Sequence, residues 1–272
     1  MVEYWTLDKF EIGRLLGRGK FGQVWLAREK EKGFIVALKI IPIKEIQTAE
    51  TARQIRREIE IHSNLKHPNI LRMYGHFHDK DNIYLILEYA GKGEFFKFLS
   101  EKGGKFGEKE ASLYIRQVIL ALMYMKECNV IHRDIKPENL LLGSDNLLKI
   151  GDFGWAVYNA DKRRMTFCGT MEYLAPEMVN NSIHDSGIDL WCLGILTYEF
   201  LIGKTPFESK NRNMREAYKK INSLKYSIPE TISSNASDFI SKLLMLNPSD
   251  RMRLAEALNH PFIVKHHGRP DD

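Results

Sequence analysis

Cysteine is scarce in this sequence, and no long apolar segment is present. The three cysteines, Cys128, Cys168 and Cys192, follow no paired spacing, and no cluster of cysteine and histidine has metal-ligand spacing. We therefore expect reduced thiols and an intracellular protein. No apolar run approaches the roughly 20 residues that a membrane helix needs, and the N-terminus lacks a basic-then-apolar signal pattern. These absences predict a soluble protein that does not bind membranes.

The excess of positive charge is small, with a formal net charge of +5, and the basic residues are scattered. A nucleic-acid-binding surface is typically a concentrated basic stripe with interleaved aromatic residues. The sequence therefore argues against direct nucleic-acid binding as the main role. A chain of 272 residues with 44% hydrophobic content can bury a full core, either in one large domain or in two lobes.

Two short segments carry the groups that phosphoryl transfer requires. The sequence His-Arg-Asp-Ile-Lys-Pro-Glu-Asn at 132–139 is followed by an Asp-Phe-Gly that begins at Asp152. Asp134 can hold and deprotonate an attacking hydroxyl, and Lys136 can neutralise the phosphate in transfer. Asn139 and Asp152 can ligate Mg²⁺. A lone Asp-Phe-Gly is usually a turn, but the order and separation of the two segments favour phosphoryl transfer.

A glycine-rich turn lies near the N-terminus. Residues 10–26 alternate between apolar and polar around Gly17, Gly19 and Gly22, which predicts strand, turn and strand. Gly-x-Gly-x-x-Gly alone also suits a dinucleotide-binding turn. That turn opens into a helix, however, whereas the residues after Gly22 are β-favouring. Lys39 on the next predicted strand can reach nucleotide phosphates, so we predict a strand–glycine–strand lid over ATP.

A charged helix is predicted over 49–65, and it ends before Pro68 because a residue that precedes proline disfavours the helical conformation. The usual interpretation of its arginines and glutamates is a solvated face. Beside the glycine turn and Lys39, we instead predict that Glu58 points inward. It would pair with Lys39 and direct this lysine at the α- and β-phosphates.

The composition changes from β-rich to helical near residue 90. Strands are predicted over 70–76 and 82–90, a long buried helix over 108–128, and an apolar helix within 183–203. Two further amphipathic segments end at 260–262, and the last residues are expected to be frayed. The predicted parts are an N-terminal lobe over 1–90, a hinge over 88–93, a C-terminal lobe over 91–264 and a short tail over 265–272.

In this order, the motifs resemble those of eukaryotic-type protein kinases over residues 8–264. Lys136 and Thr170 are similar to those of the serine/threonine branch. Within that branch the sequence resembles the Aurora kinases. The resemblance rests on Trp5-Thr6-Leu7, Ile12-Gly13-Arg14, Gly19-Lys20-Phe21-Gly22, Leu26 to Lys30, Arg56-Arg57-Glu58, Asp152 to Trp155 and Arg163 to Thr170, with Trp155 directly after Asp-Phe-Gly weighing most.

The sequence departs from the Aurora pattern at three positions. Ala175 stands where many members have proline, and Met165 replaces the first threonine of a pair. His62 stands where glutamine is usual, which leaves open how the charged helix packs in an inactive state.

The resemblance implies an α+β fold with two lobes: a small β-rich N-lobe with one regulatory helix and a larger, mainly helical C-lobe. It implies a buried Glu177–Arg251 pair and an Asp189 that braces the catalytic loop. The implied ATP site places the adenine between apolar side chains and against hinge backbone, beneath the glycine turn. Its residues are Leu16, Gly17, Gly19, Gly22, Val24, Ala37, Lys39, Glu88, Ala90 and Leu141.

Thr166 is the predicted switch. Phosphorylation adds about −1.5 to −2 charges, which Arg57, Arg133 and Arg164 can bind. The alternative is an exposed polar residue, but the arginine next to the catalytic aspartate favours the switch. The basic residues before Thr166 are compatible with autophosphorylation in trans, so we expect a monomer that dimerises transiently.

Three glutamates match positions that bind basic substrates in similar kinases: Glu94, Glu138 and Glu199. Each alone is more often a solvated surface residue without a function. Together they predict a preference for Arg or Lys two and three residues before the acceptor Ser or Thr. The resemblance also implies an activator on the N-lobe, similar to inner-centromere or spindle-assembly activators. Its candidate contacts are Tyr4, Trp5 and the apolar outer face of residues 49–61, which could equally be internal packing residues. Mitotic control, with nuclear, cytoplasmic and spindle or chromosome localisation, is expected on resemblance alone.

Two other functions fit the sequence less well than a protein kinase. An inactive kinase-shaped scaffold would be expected to lose Lys39, Asp134, Asn139 or Asp152, and all four are present. A phosphotransferase for small molecules would be expected to lack the Thr166 loop and the Ala-Pro-Glu at 175–177, and the sequence contains both.

Overall fold

The structure is a computed structural model, and it describes residues 5–19, 21–158, 171–183, 185–209 and 213–268. The predicted switch Thr166 and its predicted partner Arg164 lie outside the described residues. Among the described residues, none of the helices is both long and apolar enough to cross a lipid bilayer.

The N-terminal lobe is built on an antiparallel sheet in the order β1-β2-β3-β5-β4, counted over the described residues. The turn between β1 and β2 continues into a strand, as the sequence predicts, and not into a helix. Gly22 is required there because a Cβ atom would lie 2.0 Å from the carbonyl oxygen of Ile40. The strands are β1 Phe10–Gly19, β2 Gly22–Glu29, β3 Ile35–Pro42, β4 Met73–His78 and β5 Asn82–Glu88.

Helix α1, Ala49–Asn64, packs against this sheet. The hydroxyl of its N-cap residue, Thr48, accepts a hydrogen bond from the backbone N–H of Thr51, which satisfies one of the free donors in the first turn. Ile55 and Ile61 are fully buried, while Arg56 and Glu60 are exposed. The helix therefore has one apolar face toward the core and one charged face toward solvent.

The strand predicted over 70–76 was placed too early, because β4 begins at Met73. Ile70 forms a parallel bridge with Ile150, and the N–H of Leu71 donates to the carbonyl of Ile150 at 2.9 Å. These two residues therefore pair with the C-terminal lobe and connect the two lobes behind the cleft.

The C-terminal lobe is mainly helical, and α5 runs through its core. Trp191 and Phe200 on α5 are fully buried, and the helix ends where Gly203 adopts a left-handed conformation with φ of 85°. The helices are α2 Phe95–Glu101, α3 Glu108–Glu127, α4 Pro176–Val179, α5 Gly187–Ile202, α6 Met214–Asn222, α7 Ser234–Leu243, α8 Leu254–Leu258 and α9 Pro261–His267. The short strands are β6 Gly93–Glu94, β7 Val130–Ile131, β8 Leu140–Leu142, β9 Leu148–Ile150 and β10 Val157–Tyr158.

The predicted α+β fold with two lobes is confirmed. A second local expectation was wrong: α9 extends three residues into the predicted frayed tail. The side chain of His267 is 2.9 Å from the Ser112 hydroxyl on α3, and this contact holds the last turn of α9 against the lobe. The β8–β9 hairpin lies next to the segment that joins the lobes, so the cleft lies between the N-terminal sheet and this hairpin.

Candidate active site

Lys39 on β3 faces Glu58 on α1 across the N-terminal lobe. The Lys39 Nζ is 2.6 Å from Glu58 Oε1, and both side chains are largely buried. Burial acts to lower the pKa of Lys39, but the charge and hydrogen bond of Glu58, together with the charge of Asp152, outweigh burial and raise it. The lysine is therefore a fixed cation at the cleft.

The segment 132–139 folds into a loop whose polar groups bind one another. The ammonium of Lys136 is 3.1 Å from Asp134 Oδ1 and 2.9 Å from Oδ2. The Asn139 amide donates to the Asp134 carbonyl at 2.8 Å and to its Oδ2 at 2.7 Å. This arrangement gathers a carboxylate, a cation and an amide within hydrogen-bonding distance.

Asp189 on α5 binds the backbone of this loop. Its carboxylate accepts the backbone N–H groups of His132 at 2.9 Å and Arg133 at 2.8 Å. Arg133 has a positive φ of 69°, which non-glycine residues seldom adopt, and two charge-assisted hydrogen bonds offset the cost of that conformation. Burial raises the pKa of Asp189, against these two N–H bonds and the charge of Arg133.

Phe153 of the Asp-Phe-Gly segment is fully buried between two histidines. Its ring centroid is 4.5 Å from that of His62 on α1 and 4.9 Å from that of His132 in the catalytic loop. The His132 Nδ1 accepts the Asp134 N–H at 3.3 Å, and its Nε2 therefore donates to the Gly151 carbonyl at 3.0 Å. Aromatic contacts thus link the regulatory helix to the catalytic loop.

His62 is neutral in this packing. Burial lowers its pKa to about 4, against the hydrogen bond to the Leu71 carbonyl, and the positive charges of Lys39 and Arg72 act in the same direction as burial. Its Nε2 is 2.6 Å from the Leu71 carbonyl oxygen, so this nitrogen carries the proton and donates. In the described conformation, the imidazole therefore ties α1 to the segment before β4.

Asp152 is exposed at the cleft and has a positive φ of 52°. Its Oδ1 accepts the Gly154 N–H at 3.2 Å, and the Gly154 carbonyl in turn accepts a hydrogen bond from Gln54 on α1 at 2.8 Å. Glu58, Gln54 and His62 therefore give α1 three separate contacts with the cleft.

The apolar residues that were expected around adenine meet at one cluster, to which Leu141 on β8 of the C-terminal lobe contributes. Ala37 and Ala90 are buried, whereas Leu16, Val24 and Leu141 are only partly covered and pack against the same cluster. In the segment that joins the lobes, the Glu88 N–H donates to the Arg72 carbonyl, and the Ala90 carbonyl accepts the Gly93 N–H.

A pocket of about 230 Å³ lies beside α1 and the Asp-Phe-Gly segment. Arg57 and Arg133, two of the three predicted phosphate ligands, line it, and Arg53 adds a third guanidinium that was not predicted. The Nε of Arg133 donates to the Trp155 carbonyl at 2.9 Å. Three arginines around one pocket make it suitable for an anion.

Two of the three predicted substrate carboxylates influence each other. Burial is the main cause that raises the pKa of Glu199 to about 7, with contributions from the charges of Glu138 and Glu172, and against a hydrogen bond from Tyr173. Glu172 was not predicted as a site residue, although it stands next to Tyr173 in the sequence. Glu94 lies on β6 and is exposed.

The predicted metal ligands suit Mg²⁺ that is shared with a nucleotide. Among the described residues, no group of three or more His, Cys, Asp or Glu side chains is placed to hold a metal ion. Asp152 supplies one exposed carboxylate and Asn139 one amide oxygen. Mg²⁺ is usually held by one or two carboxylates together with substrate phosphates, so this small donor set fits.

The fold and this set of residues define a protein kinase, and a family model for the protein kinase domain matches residues 10–263. An Aurora kinase of Encephalitozoon cuniculi is 92% identical over the full length of both chains. Aurora kinase A-B of Xenopus laevis is 51% identical over 98% of this chain, which spans 64% of that relative's length. An Aurora kinase of Schizosaccharomyces pombe is 52% identical over 96% of this chain and 73% of its own length.

The chain belongs to the Aurora kinase family. It is a serine/threonine kinase that uses ATP and acts on protein substrates.

Proposed function

We propose that Asp134, Lys136, Asn139, Asp152, Lys39 and Glu58 carry the reaction. The observation that supports this most directly is the Asp134–Lys136–Asn139 cluster, which lies on one loop beside the exposed Asp152. In phosphoryl transfer little covalent chemistry falls to the protein, so positioning and electrostatic stabilisation supply most of the rate. The structure provides groups for both tasks.

Asp134 orients the acceptor hydroxyl and takes its proton as the hydroxyl oxygen forms its bond to the γ-phosphorus. The bond between that phosphorus and the β,γ-bridging oxygen breaks, and ADP leaves with the electron pair. Lys136, whose ammonium already lies against Asp134, balances negative charge on the transferring group. Lys39, held by Glu58, neutralises the α- and β-phosphates.

Asp152 and Asn139 would hold the Mg²⁺ that accompanies ATP. When bound, this ion supplies neutralisation of the β- and γ-phosphate charge. Asp152 is already fixed by the Gly154 N–H, and Asn139 by its two hydrogen bonds to Asp134. The protein therefore presents both ligands in set orientations before the nucleotide arrives.

Adenine is assigned to the cluster of Leu16, Val24, Ala37 and Leu141. Since the Glu88 N–H and the Ala90 carbonyl already have partners, we assign the Glu88 carbonyl and the Ala90 N–H to the adenine edge. Gly17, Gly19 and Gly22 would then cover the phosphates, because glycine lets backbone approach a ligand closely.

Phosphorylation of Thr166 is proposed as the activating switch, with the three-arginine pocket as the phosphate site. Arg57 on α1 and Arg133 in the catalytic loop would bind the same phosphate and so hold these two elements together. Arg164 stays a predicted ligand outside the described residues.

Glu94, Glu138 and Glu199 are proposed to favour Arg or Lys before the acceptor residue. An N-lobe activator, a mitotic role and spindle or chromosome localisation also stay proposals. Trp5 packs internally: its ring lies 5.6 Å from that of Phe10 and beneath the Lys9 ammonium. An activator would therefore need to contact the outer side of this residue.

The first test is ATP turnover on an Arg-Arg-x-Ser peptide, with mass spectrometry of residue 166. Asp152→Asn should reduce turnover by about 100- to 1000-fold, as expected when one electrostatic contact to the transition state is lost. Thr166→Ala should reduce it strongly. Turnover that survives Asp152→Asn would contradict the assigned site.

The phosphate pocket can be tested with neighbouring arginines on α1. In enzyme phosphorylated at Thr166, Arg57→Met should lower kcat/KM by about tenfold or more, the order expected for a charge-assisted hydrogen bond. Arg56→Met is the matched control, since Arg56 lies on the same helix but is exposed and does not line the pocket. Equal effects of the two substitutions would refute the assignment.

A further inference from the structure

Lys149 on β9 is a buried lysine that the reaction does not use. Its side chain is 7% exposed, and its Nζ is 2.9 Å from the Oε1 of Glu88 in the segment that joins the lobes. Asp145 in the β8–β9 hairpin lies farther away, at 3.8 Å, and is half exposed. The main partner of this lysine is therefore a hinge carboxylate from the other side of the lobe junction.

The same Glu88 carboxylate binds a second group. Its Oε2 accepts the backbone N–H of Arg72 at 3.1 Å, and the Glu88 N–H donates back to the Arg72 carbonyl at 2.8 Å. The Glu88 side chain thus bridges Lys149 of the C-terminal lobe and Arg72 of the N-terminal lobe. Glu88 is also the hinge residue whose backbone carbonyl is assigned to the adenine edge.

The strand that carries Lys149 is itself fixed. The Ile150 N–H donates to the Asn69 carbonyl at 2.8 Å, the Ile150 carbonyl accepts the Leu71 N–H at 2.9 Å, and Leu148 donates to Gln117 at 2.7 Å. Asp152 follows two residues after this strand. Lys149 therefore connects the hinge to the strand that delivers the metal-binding carboxylate.

We propose that Lys149 is a positioning residue for nucleotide recognition. Lys149 holds the Glu88 side chain and so fixes the position of the hinge backbone relative to Asp152. The hinge backbone contacts the adenine edge, and Lys149 therefore determines selectivity for a 6-aminopurine nucleotide. This inference rests on the proposed placement of adenine at Glu88 and Ala90.

The test compares ATP with inosine triphosphate, which presents an oxygen where adenine has its amino group. Wild-type enzyme should favour ATP in kcat/KM by about 100-fold, because a buried hydrogen-bonding site rejects a ligand that leaves its groups unpaired. Lys149→Met should reduce this ratio by about tenfold, through a higher KM for ATP, and Glu88→Gln should do likewise. Lys149→Arg, which keeps the charge, should restore most of the selectivity.

Lys92→Met is the matched control, since Lys92 joins the hinge to the same hairpin but bonds to the neutral amide of Asn146. It should leave the ATP preference unchanged. If Lys149→Met lowers only the melting temperature and keeps the ATP preference, the lysine is merely structural and the inference is wrong. If wild type itself fails to favour ATP, the adenine placement is wrong and the inference falls with it.

Discussion

Two buried ion pairs lie in different lobes: Lys39–Glu58 joins β3 to α1 in the N-terminal lobe, and Glu177–Arg251 joins α4 to the segment before α8 in the C-terminal lobe. The first is a single contact of 2.6 Å. The second is bidentate, with two contacts of 2.7 Å, and Arg251 also donates to the carbonyls of Gly187 at 2.7 Å and Met245 at 3.0 Å.

The two pairs also differ in the element that carries the carboxylate. Glu177 lies in the short helix α4 between the buried Pro176 and Met178, and Arg251 binds both of its carboxylate oxygens. Glu58 lies on a helix whose opposite face is exposed, so a small displacement of α1 would expose the carboxylate. A buried pair is costly to break only when the remaining charge cannot reach water. The first pair is therefore suited to switching and the second to support.

The largest effect should come from breaking the support pair. Arg251→Met should lower the free energy of unfolding by about 3–5 kcal/mol, because it leaves Glu177 buried without a partner. Urea unfolding followed by circular dichroism measures this change. The double variant Arg251→Met/Glu177→Gln should recover part of the loss, since it removes the orphaned charge. A single-variant loss below about 1 kcal/mol would contradict this role.

The next-largest effect should be a loss of stability on acidification, caused by protonation of His62 on α1. The pKa of His62 is about 4 in the folded protein and about 6.5 when unfolded. Its contribution to stability is therefore complete above pH 6.5 and is lost as the pH falls to 4. Over this range the loss should be about 3 kcal/mol.

His62→Gln is the control for that titration, because the amide can still donate to the Leu71 carbonyl but does not titrate. The wild-type free energy of unfolding should decrease more steeply on acidification than that of the variant, and the difference between them isolates His62. Parallel curves would show that the imidazole does not stay neutral in the fold.

Lys39→Met should show the opposite pattern from Arg251→Met. The kcat/KM of the Lys39→Met variant should fall by about 100-fold, since one preorganised charge at the phosphates is lost. The free energy of unfolding should change by only about 1 kcal/mol, because α1 can move and hydrate Glu58. Peptide phosphorylation and urea unfolding measured on the same preparation test both statements. A loss of several kcal/mol would show that α1 is as rigid as the scaffold.

Sequence reasoning indicated the candidate groups for phosphoryl transfer more readily than the contacts that hold them. Lys39, Glu58 and Asp134 are recognisable because phosphoryl transfer requires these residue types in this order. The packing of His62 was not predictable, since a histidine on a helix is neutral or charged according to tertiary burial. The Lys149–Glu88 contact joins residues that are distant in sequence, so no local pattern signals it. The start of β4 was misplaced for the same reason, because long-range pairing removes Ile70 from the strand.

The smallest effect should be a pH dependence of substrate binding in the C-terminal lobe. Glu199 on α5 has a pKa of about 7 in the free enzyme, raised mainly by burial and also by Glu138 and Glu172. At pH 6 most of this carboxyl is neutral, and at pH 8 most of it is charged. If an arginine of the substrate pairs with the charged form, its binding should strengthen across this range.

The KM for an Arg-Arg-x-Ser peptide should therefore fall by about fivefold to tenfold between pH 6 and pH 8, in proportion to the ionised fraction of Glu199. A peptide with citrulline in place of the arginines is affected equally by every other ionisation of the enzyme. Its KM should therefore change much less over this pH range. Glu199→Gln should flatten the difference between the two peptides. If the difference persists in that variant, the ionisation belongs to another group, and Glu199 supports Tyr173 rather than the substrate.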